Sequence, residues 1–354
     1  MKRVGWLGSP AVRGVTLVEL MVTLVIGSVV IVGALALYAR GSDLYRVSER
    51  VARLQEQARV AMSVIEPDIE LAGYYGFTNS PDAIQLTRGA NPGGVLALAH
   101  EMRQWPLRMG GAVPVAVAGL PAGAHSCGIN FAVDVTTPVQ ASNGVFALGV
   151  APTGCEPYQG RARPGADTLT LRRAETQRAT AEANRLQLFT SRLSSQAMQL
   201  LIADGVSPGA VDADHELRNL VVRTYYVARD SVGRRDFPAL RVKALTRSGN
   251  ALAFADDEVM PGVEDLQVQL AITAGADPHS EVQYVNPDAA EVPYALVVGV
   301  RIWLRLRADE AEPSFSDALT YRYADIVYAP AGAERHFRRV LVSRTVAVRN
   351  ARSS

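Results

Sequence analysis

One carboxylate sets the chemical problem of this 354-residue sequence. Between residues 15 and 39 the only charged side chain is Glu19, set in the run Gly14-Val15-Thr16-Leu17-Val18-Glu19. An acid at mid-bilayer costs on the order of 3 kcal/mol on insertion scales. If it is buried among protein instead, it must be paired or hydrogen-bonded. No cation follows Arg13 nearby, so Glu19 is expected to have a partner that this stretch of the chain does not supply. Other constellations are weak. The five histidines (His100, His125, His215, His279 and His336) are scattered, and none forms an H-x-x-x-H pair. No G-x-S-x-G, P-loop or G-x-G-x-x-G run occurs. The acids Asp212, Asp214 and Glu216, and Asp256, Asp257 and Glu258, match no calcium-loop spacing and read as solvated loops. No catalytic set, metal site or cofactor is therefore expected.

The elements that must position Glu19 are legible. Residues 15–39 form a helix of about 37 Å at about 1.5 Å per residue, enough for a hydrocarbon core of about 30 Å. From Leu44 the apolar positions continue as Val47, Val51, Leu54, Ala58, Ala61 and Ile65, a helical stripe that predicts packing onto the chain's own globular part. No proline occurs before Pro67, which could end or kink the helix, and Gly73-Tyr74-Tyr75-Gly76 must end it. The basic Lys2, Arg3 and Arg13 precede the apolar run, which keeps the leader cytoplasmic and places the remainder outside. Two plainer readings stand beside this one. Ala34-Leu35-Ala36 fits an ordinary signal-peptide cut, and an uncut single-span anchor fits the length. Neither explains Glu19.

The basic leader, Gly14, the glutamate five residues after it and the uninterrupted apolar run together resemble the N-terminal signal of type IV prepilins. Val15 stands where that family most often has Phe. The resemblance implies that prepilin peptidase cuts between Gly14 and Val15, that Val15 is then N-methylated, and that Glu19 pairs with the α-amino group of an adjacent subunit to set register in a filament. Residues 1–14 are then the leader, 15–39 the transmembrane and filament-core half of the helix, and 40–75 its amphipathic half.

Composition is neutral toward nucleic acid. The formal charge is +1, and removing Lys2, Arg3 and Arg13 from 36 basic groups leaves 33 against 35 acidic. The C-terminal arginines Arg335, Arg338, Arg339, Arg344, Arg349 and Arg352 form a basic stretch. They read as a solvated strand face that pairs with acids of neighbouring subunits, with DNA contact as the alternative. For an exported chain, the two cysteines, Cys127 and Cys155, read as one disulfide. Two buried thiols are the alternative. A bridge across this loop contributes roughly 3–4 kcal/mol in the chain-entropy view.

Residues 76–164, rich in Pro and Gly, read as a loop-rich lobe holding that disulfide. Residues 165–354 read as a β-rich globular domain. Strands are expected at 168–172, 186–189, 220–228, 240–245, 266–270, 296–307 and 337–348, and a short helix at 192–203. Trp105 and Trp303 read as core. Alternation along the strands predicts a mainly antiparallel sheet with one wet face, its dry face covered by the helix stripe. The expected class is α+β: a long N-terminal helix packed on a mainly antiparallel sheet, as in pilins.

Gly165-Ala166-Asp167-Thr168-Leu169 and Gly262-Val263-Glu264-Asp265-Leu266-Gln267-Val268 resemble segments of PilW-type minor pilins. So do Val300-Arg301-Ile302-Trp303-Leu304 and the run from Arg338 to Asn350. The resemblance implies a minor pilin in an initiating or tip complex for type IV pilus assembly and twitching. Its implied partners are other minor pilins, the major pilin and a large tip adhesin, and its implied location is the inner membrane with the C-terminal domain in the periplasm. A J-type pseudopilin of type II secretion, or a pilus-tip module that binds DNA or surfaces, is the alternative.

Overall fold

The computed structural model describes residues 14, 16–78, 81–87, 95–97, 120–121, 123–149, 155–193, 199–273 and 281–351. The expectations for Val15, the leader residues 1–13, Trp105, His100, His279 and Arg352 lie outside them. Two compact units emerge, one ending at Arg53 and one beginning at Leu54. A single helix, α1 (Leu17–Glu70), supplies the first unit and opens the second. Pro67 lies inside the helix rather than ending it. The stop comes at Gly73, in left-handed conformation (φ +76°), whose N–H donates to Arg172 O. A glycine is what that conformation favours.

Among the described residues fifteen strands follow α1. They are β1 (Gln85–Thr87), β2 (Val95–Ala97), β3 (Val139–Ser142), β4 (Thr168–Ala174), β5 (Ala183–Ser191), β6 (Gln199–Asp204), β7 (His215–Ala228), β8 (Ala239–Ser248), β9 (Ala251–Pro261), β10 (Val263–Thr273), β11 (Val282–Val285), β12 (Leu296–Arg307), β13 (Tyr321–Tyr323), β14 (Ile326–Tyr328) and β15 (Arg339–Ala347). One sheet runs β2-β1-β6-β5-β7-β4-β3, with β8 and β9 continuing from β7. A second runs β11-β10-β12-β15, and β13 and β14 form a hairpin. Among the described strands all pairings are antiparallel except β1 with β6. The α+β class expected from the sequence is the class observed.

Three expectations are corrected. The helix expected over 192–203 is overturned: β6 occupies Gln199–Asp204. A short apolar run such as Leu200-Leu201-Ile202 fits either element by pattern, and here β5 and β1 take it as a sheet partner. The long sheet is also not wet on one face. Along β7, Leu220 and Val222 enter one core while Tyr225 and Val227 enter the other. Both faces of this strand are therefore covered. Thirdly, Trp303 is half-buried rather than fully in the core.

The first core is built by the α1 stripe. Leu54, Ala58, Ala61, Met62, Ile65 and Ile69 are buried against Leu169, Leu171, Tyr225 and Val227 of the long sheet, and against Leu266, Val268, Ile302 and Leu304 of the second. Val51, on the same expected stripe, is 37% exposed. The second core is capped by the 76–164 region. Ala124, Cys127, Phe131, Val133, Val135, Leu148 and Cys155 pack with Leu186, Leu188, Leu220 and Val222. Cys127 and Cys155 are joined as a disulfide. The lobe's carbonyls are satisfied by a buried cation: Arg172 donates to Phe131 O, Thr137 O and Gln140 Oε1 at 2.8–3.0 Å.

The end of α1 is fixed by Asp68, which is 2% exposed. Its carboxylate accepts from Tyr225 Oη at 2.6 Å, Arg223 Nη1 at 2.9 Å and Arg173 Nε at 3.0 Å. All three donors come from the long sheet. Removing one member of a buried charge set strands the rest and costs about 3–5 kcal/mol. Asp68→Ala is therefore expected to lower unfolding stability by about that amount. Tyr225→Phe, which removes one hydrogen bond, is expected to cost about 1–2 kcal/mol. Urea unfolding of the full chain in detergent, followed by tryptophan fluorescence, checks the ranking.

Candidate functional site

The site built around Glu19 begins with Thr16. Thr16 stands just before the first helical residue, Leu17, and its Oγ1 accepts the Glu19 backbone N–H at 3.3 Å, while its carbonyl accepts Leu20 N–H at 3.1 Å. Thr16-Leu17-Val18-Glu19 thus has the spacing of a capping box, with the threonine half formed. The sequence carried this signal as S/T-x-x-E, and the reading of Glu19 as an inter-chain ligand had passed over it. Gly14 is exposed, and nothing lies within 4 Å of where a Cβ would stand. Val15, its partner in the expected cut, is outside the described residues.

The helix that follows is apolar and uncovered. Leu17–Tyr38 spans 22 residues with mean hydropathy 2.7, and none of that stretch is buried within the molecule. Leu17, Leu24, Val29, Val32 and Leu37 are each more than 60% exposed. A continuous apolar surface of this kind requires lipid or other protein around it. Thr23 Oγ1 and Ser28 Oγ donate back to helix carbonyls at 2.8–3.0 Å, which satisfies their hydroxyls without water. Glu19 itself is exposed near the start of the run.

The two internal motifs meet where the sheets join. Asp167, buried, accepts Gly144 N–H on Oδ1 and Val268 N–H on Oδ2, both at 2.7 Å. Its own N–H donates to Leu266 O, and Gln267 Nε2 donates to Gly165 O. The Gly165-to-Leu169 segment of the long sheet is thereby stitched to the Gly262-to-Val268 segment of the second. Burial pushes the Asp167 carboxyl up to about 7 against those two N–H donors, with Asp265 and Asp325 adding repulsion. Next to it, Glu264 is held below the usual carboxylate range. Burial alone would raise it, but Arg339 and Arg305 hydrogen-bond its oxygens at 2.8–3.1 Å.

Four of the C-terminal arginines pair with acids within the chain. Arg338 pairs with Glu312, Arg339 with Glu264 and Glu334, Arg344 with Glu66 and Arg349 with Glu70. Arg335 donates to Pro330 O. The acidic runs are likewise engaged. Asp212 accepts His215 Nδ1 and two backbone N–H groups, and Asp256 holds Arg241, Lys243 and Tyr226. Among the described residues no group of three metal-ligating side chains converges.

Two family models match parts of the chain. Residues 224–350 match the family model for Type IV Pilus-assembly protein W, and residues 10–35 match the prokaryotic N-terminal methylation motif. No curated protein matches the chain. Among solved structures, a type IV-like pilin from Thermus thermophilus aligns over 52% of this chain and 80% of its own, at 16% identity and a TM-score of 0.26. At that score the superposition carries no argument.

Asp167 makes stability depend on pH in a direction that can be worked out. Its folded-state value, about 7, lies above the ordinary 3.8. The folded chain therefore keeps this proton while the unfolded chain releases it. Stability falls as pH rises from about 4 to about 7, by on the order of 4 kcal/mol at most. Asp167→Asn removes the slope, and any mismatch of its amide with the two N–H donors adds only a pH-independent offset. Across pH 4–8 the urea midpoint of the Asn variant is expected to rise relative to that of the native chain as pH rises.

Proposed function

From a pilus-related, pilin-like chain that carries the Type IV Pilus-assembly protein W region and the methylation motif, we propose a minor pilin of the type IV pilus. The observation that carries this reading is the uncovered 22-residue apolar helix opening on Thr16 and Glu19. In this reading prepilin peptidase cuts after Gly14 and Val15 is methylated. The chain then rests in the inner membrane through its apolar helix, with residues 54–354 in the periplasm. On assembly the apolar face moves from lipid into contact with other subunits' helices, both apolar surroundings. Glu19 makes that transfer selective. Its charge stays hydrated near the lipid boundary and needs a cation once buried, so the α-amino group of an adjacent subunit would set the register.

The bulk of the domain that follows the helix supports a place at the end of the filament, where neighbours need not tile tightly. Its partners there would be other minor pilins, the major pilin and a large adhesin. The internal pairing of the C-terminal arginines supports a structural role over contact with DNA. No catalytic role is needed by any part of the reading.

Pili sheared from cells that make this chain, from a deletion strain and from a Glu19→Ala strain test the proposal. The wild-type chain is expected in the sheared fraction in small amount, and pilus number is expected to fall on deletion. The Glu19→Ala chain is expected to reach the membrane normally yet enter pili at least roughly tenfold less, the effect of losing about 1.4 kcal/mol or more. A wild-type chain absent from pili, with pilus number unchanged on deletion, contradicts the proposal.

A further inference from the structure

The second sheet has one face on the α1 core and one face turned away, and the outer face is only half covered. Even-numbered residues of β10, β12 and β15 (Leu266, Val268, Val300, Ile302, Leu304, Val346) enter the core. Odd-numbered residues therefore line the outer face. At one end of that face the β13–β14 hairpin closes over a network of charges. Arg305 bonds Glu264 and lies 3.6 Å from the Tyr328 ring, and Tyr323 Oη donates to Asp265. At the other end nothing comparable is seen among the described residues. Ser343 and Thr345 are exposed, Tyr284 is 40% exposed, and Trp303 is half-buried.

Arg301 lies in the middle of this open half. Its guanidinium is stacked 3.8 Å over the Tyr284 ring and lies 5.9 Å from Trp303, and its Nε donates to Thr345 Oγ1 at 3.1 Å. The arginines that β12 and β15 contribute elsewhere, Arg305, Arg307, Arg339 and Arg344, each have a carboxylate within 4 Å. Arg301 has none among the described residues. The side chain is therefore oriented in advance, its guanidinium stacked and its Nε bonded, while its two terminal nitrogens have no partner among the described residues. A planar fork of that kind matches a carboxylate in two parallel hydrogen bonds. Tyr, Trp and Arg around an open centre are also the residues that dominate protein interfaces.

We propose that this half-face is a docking surface for an acidic segment of another pilus subunit, with Arg301 receiving an Asp or Glu carboxylate between Tyr284, Trp303 and Thr345. The proposal rests on the pilin reading above. A surface charge held in place without a partner is what charge complementarity across an interface needs, because little ordering remains to be done at docking.

A photoreactive p-benzoylphenylalanine placed at Ser343 of the full chain, in cells making pili, tests it. Ultraviolet light is expected to give an adduct with another pilus subunit, mapped to a peptide that carries Asp or Glu. The adduct is expected to fall at least about tenfold in Arg301→Gln, while the same probe at Val327 on the hairpin gives an unchanged pattern. Combining Arg301→Glu with Arg at the mapped acid is expected to restore the adduct, which repair of a folding defect would not do. An adduct undiminished by Arg301→Gln, or one mapped to a peptide without an acid, overturns the proposal. A chain present in sheared pili with no adduct overturns the surface alone. A chain absent from pili, with pilus number unchanged on deletion, overturns the pilus reading and the surface with it.

Discussion

Asp68 is the interaction on which the folded unit depends. A helix that packs on two sheets at once can slide or roll unless something fixes it along and around its axis. The apolar stripe from Leu54 to Ile69 resists rolling, because turning it exposes Ile65 and Ile69 to water. Sliding is resisted by polar contacts of fixed geometry. Asp68 supplies three of them to Arg173, Arg223 and Tyr225, and Glu66 and Glu70 reach Arg344 and Arg349 of the C-terminal strand and its continuation. The buried set matters more than the surface pairs, which contribute little each. Asp167 plays the matching part between the sheets, joining Gly144, just after β3, to Val268 of β10.

The helix and its boundaries were legible because they depend on local pattern. The apolar run, the stripe from Leu54 and the Gly73 stop all follow from spacing along one element. Strands such as Leu296–Arg307 were legible from alternation. What escaped depends on contacts far apart in sequence. The run Asp256-Asp257-Glu258 reads as a solvated loop, yet it lies in β9, because Arg241 and Lys243 of β8 and Tyr226 of β7 neutralise and bond Asp256. The lobe over 76–164 shows no pattern that marks it as the cover of a second core. That role comes from Arg172, a charged residue buried to satisfy loop carbonyls, and charge in a sequence reads as surface.

The same asymmetry holds for the site. Gly14, Glu19 and the apolar run stand out because a carboxylate in such company has a cost that demands an explanation. Thr16 was within reach of the capping pattern. Asp68 was not, since nothing near it in sequence announces Tyr225 or Arg223. Nor was Arg301, whose distinction is that its neighbours on the sheet have acids and it has none among the described residues. The motif resemblance over 165–169 and 262–268 gained physical content only when Asp167 proved to hold those two segments together.

The account turns on the helix being the processed N-terminus of a pilin. The most direct measurement is the mass of the mature N-terminal peptide, from cells with and without prepilin peptidase. N-methylated Val15 in the first and the uncut leader in the second is the result expected. A start near Leu37, or an intact leader in both, would contradict the account, and the apolar helix would then be a secretion signal or a plain anchor.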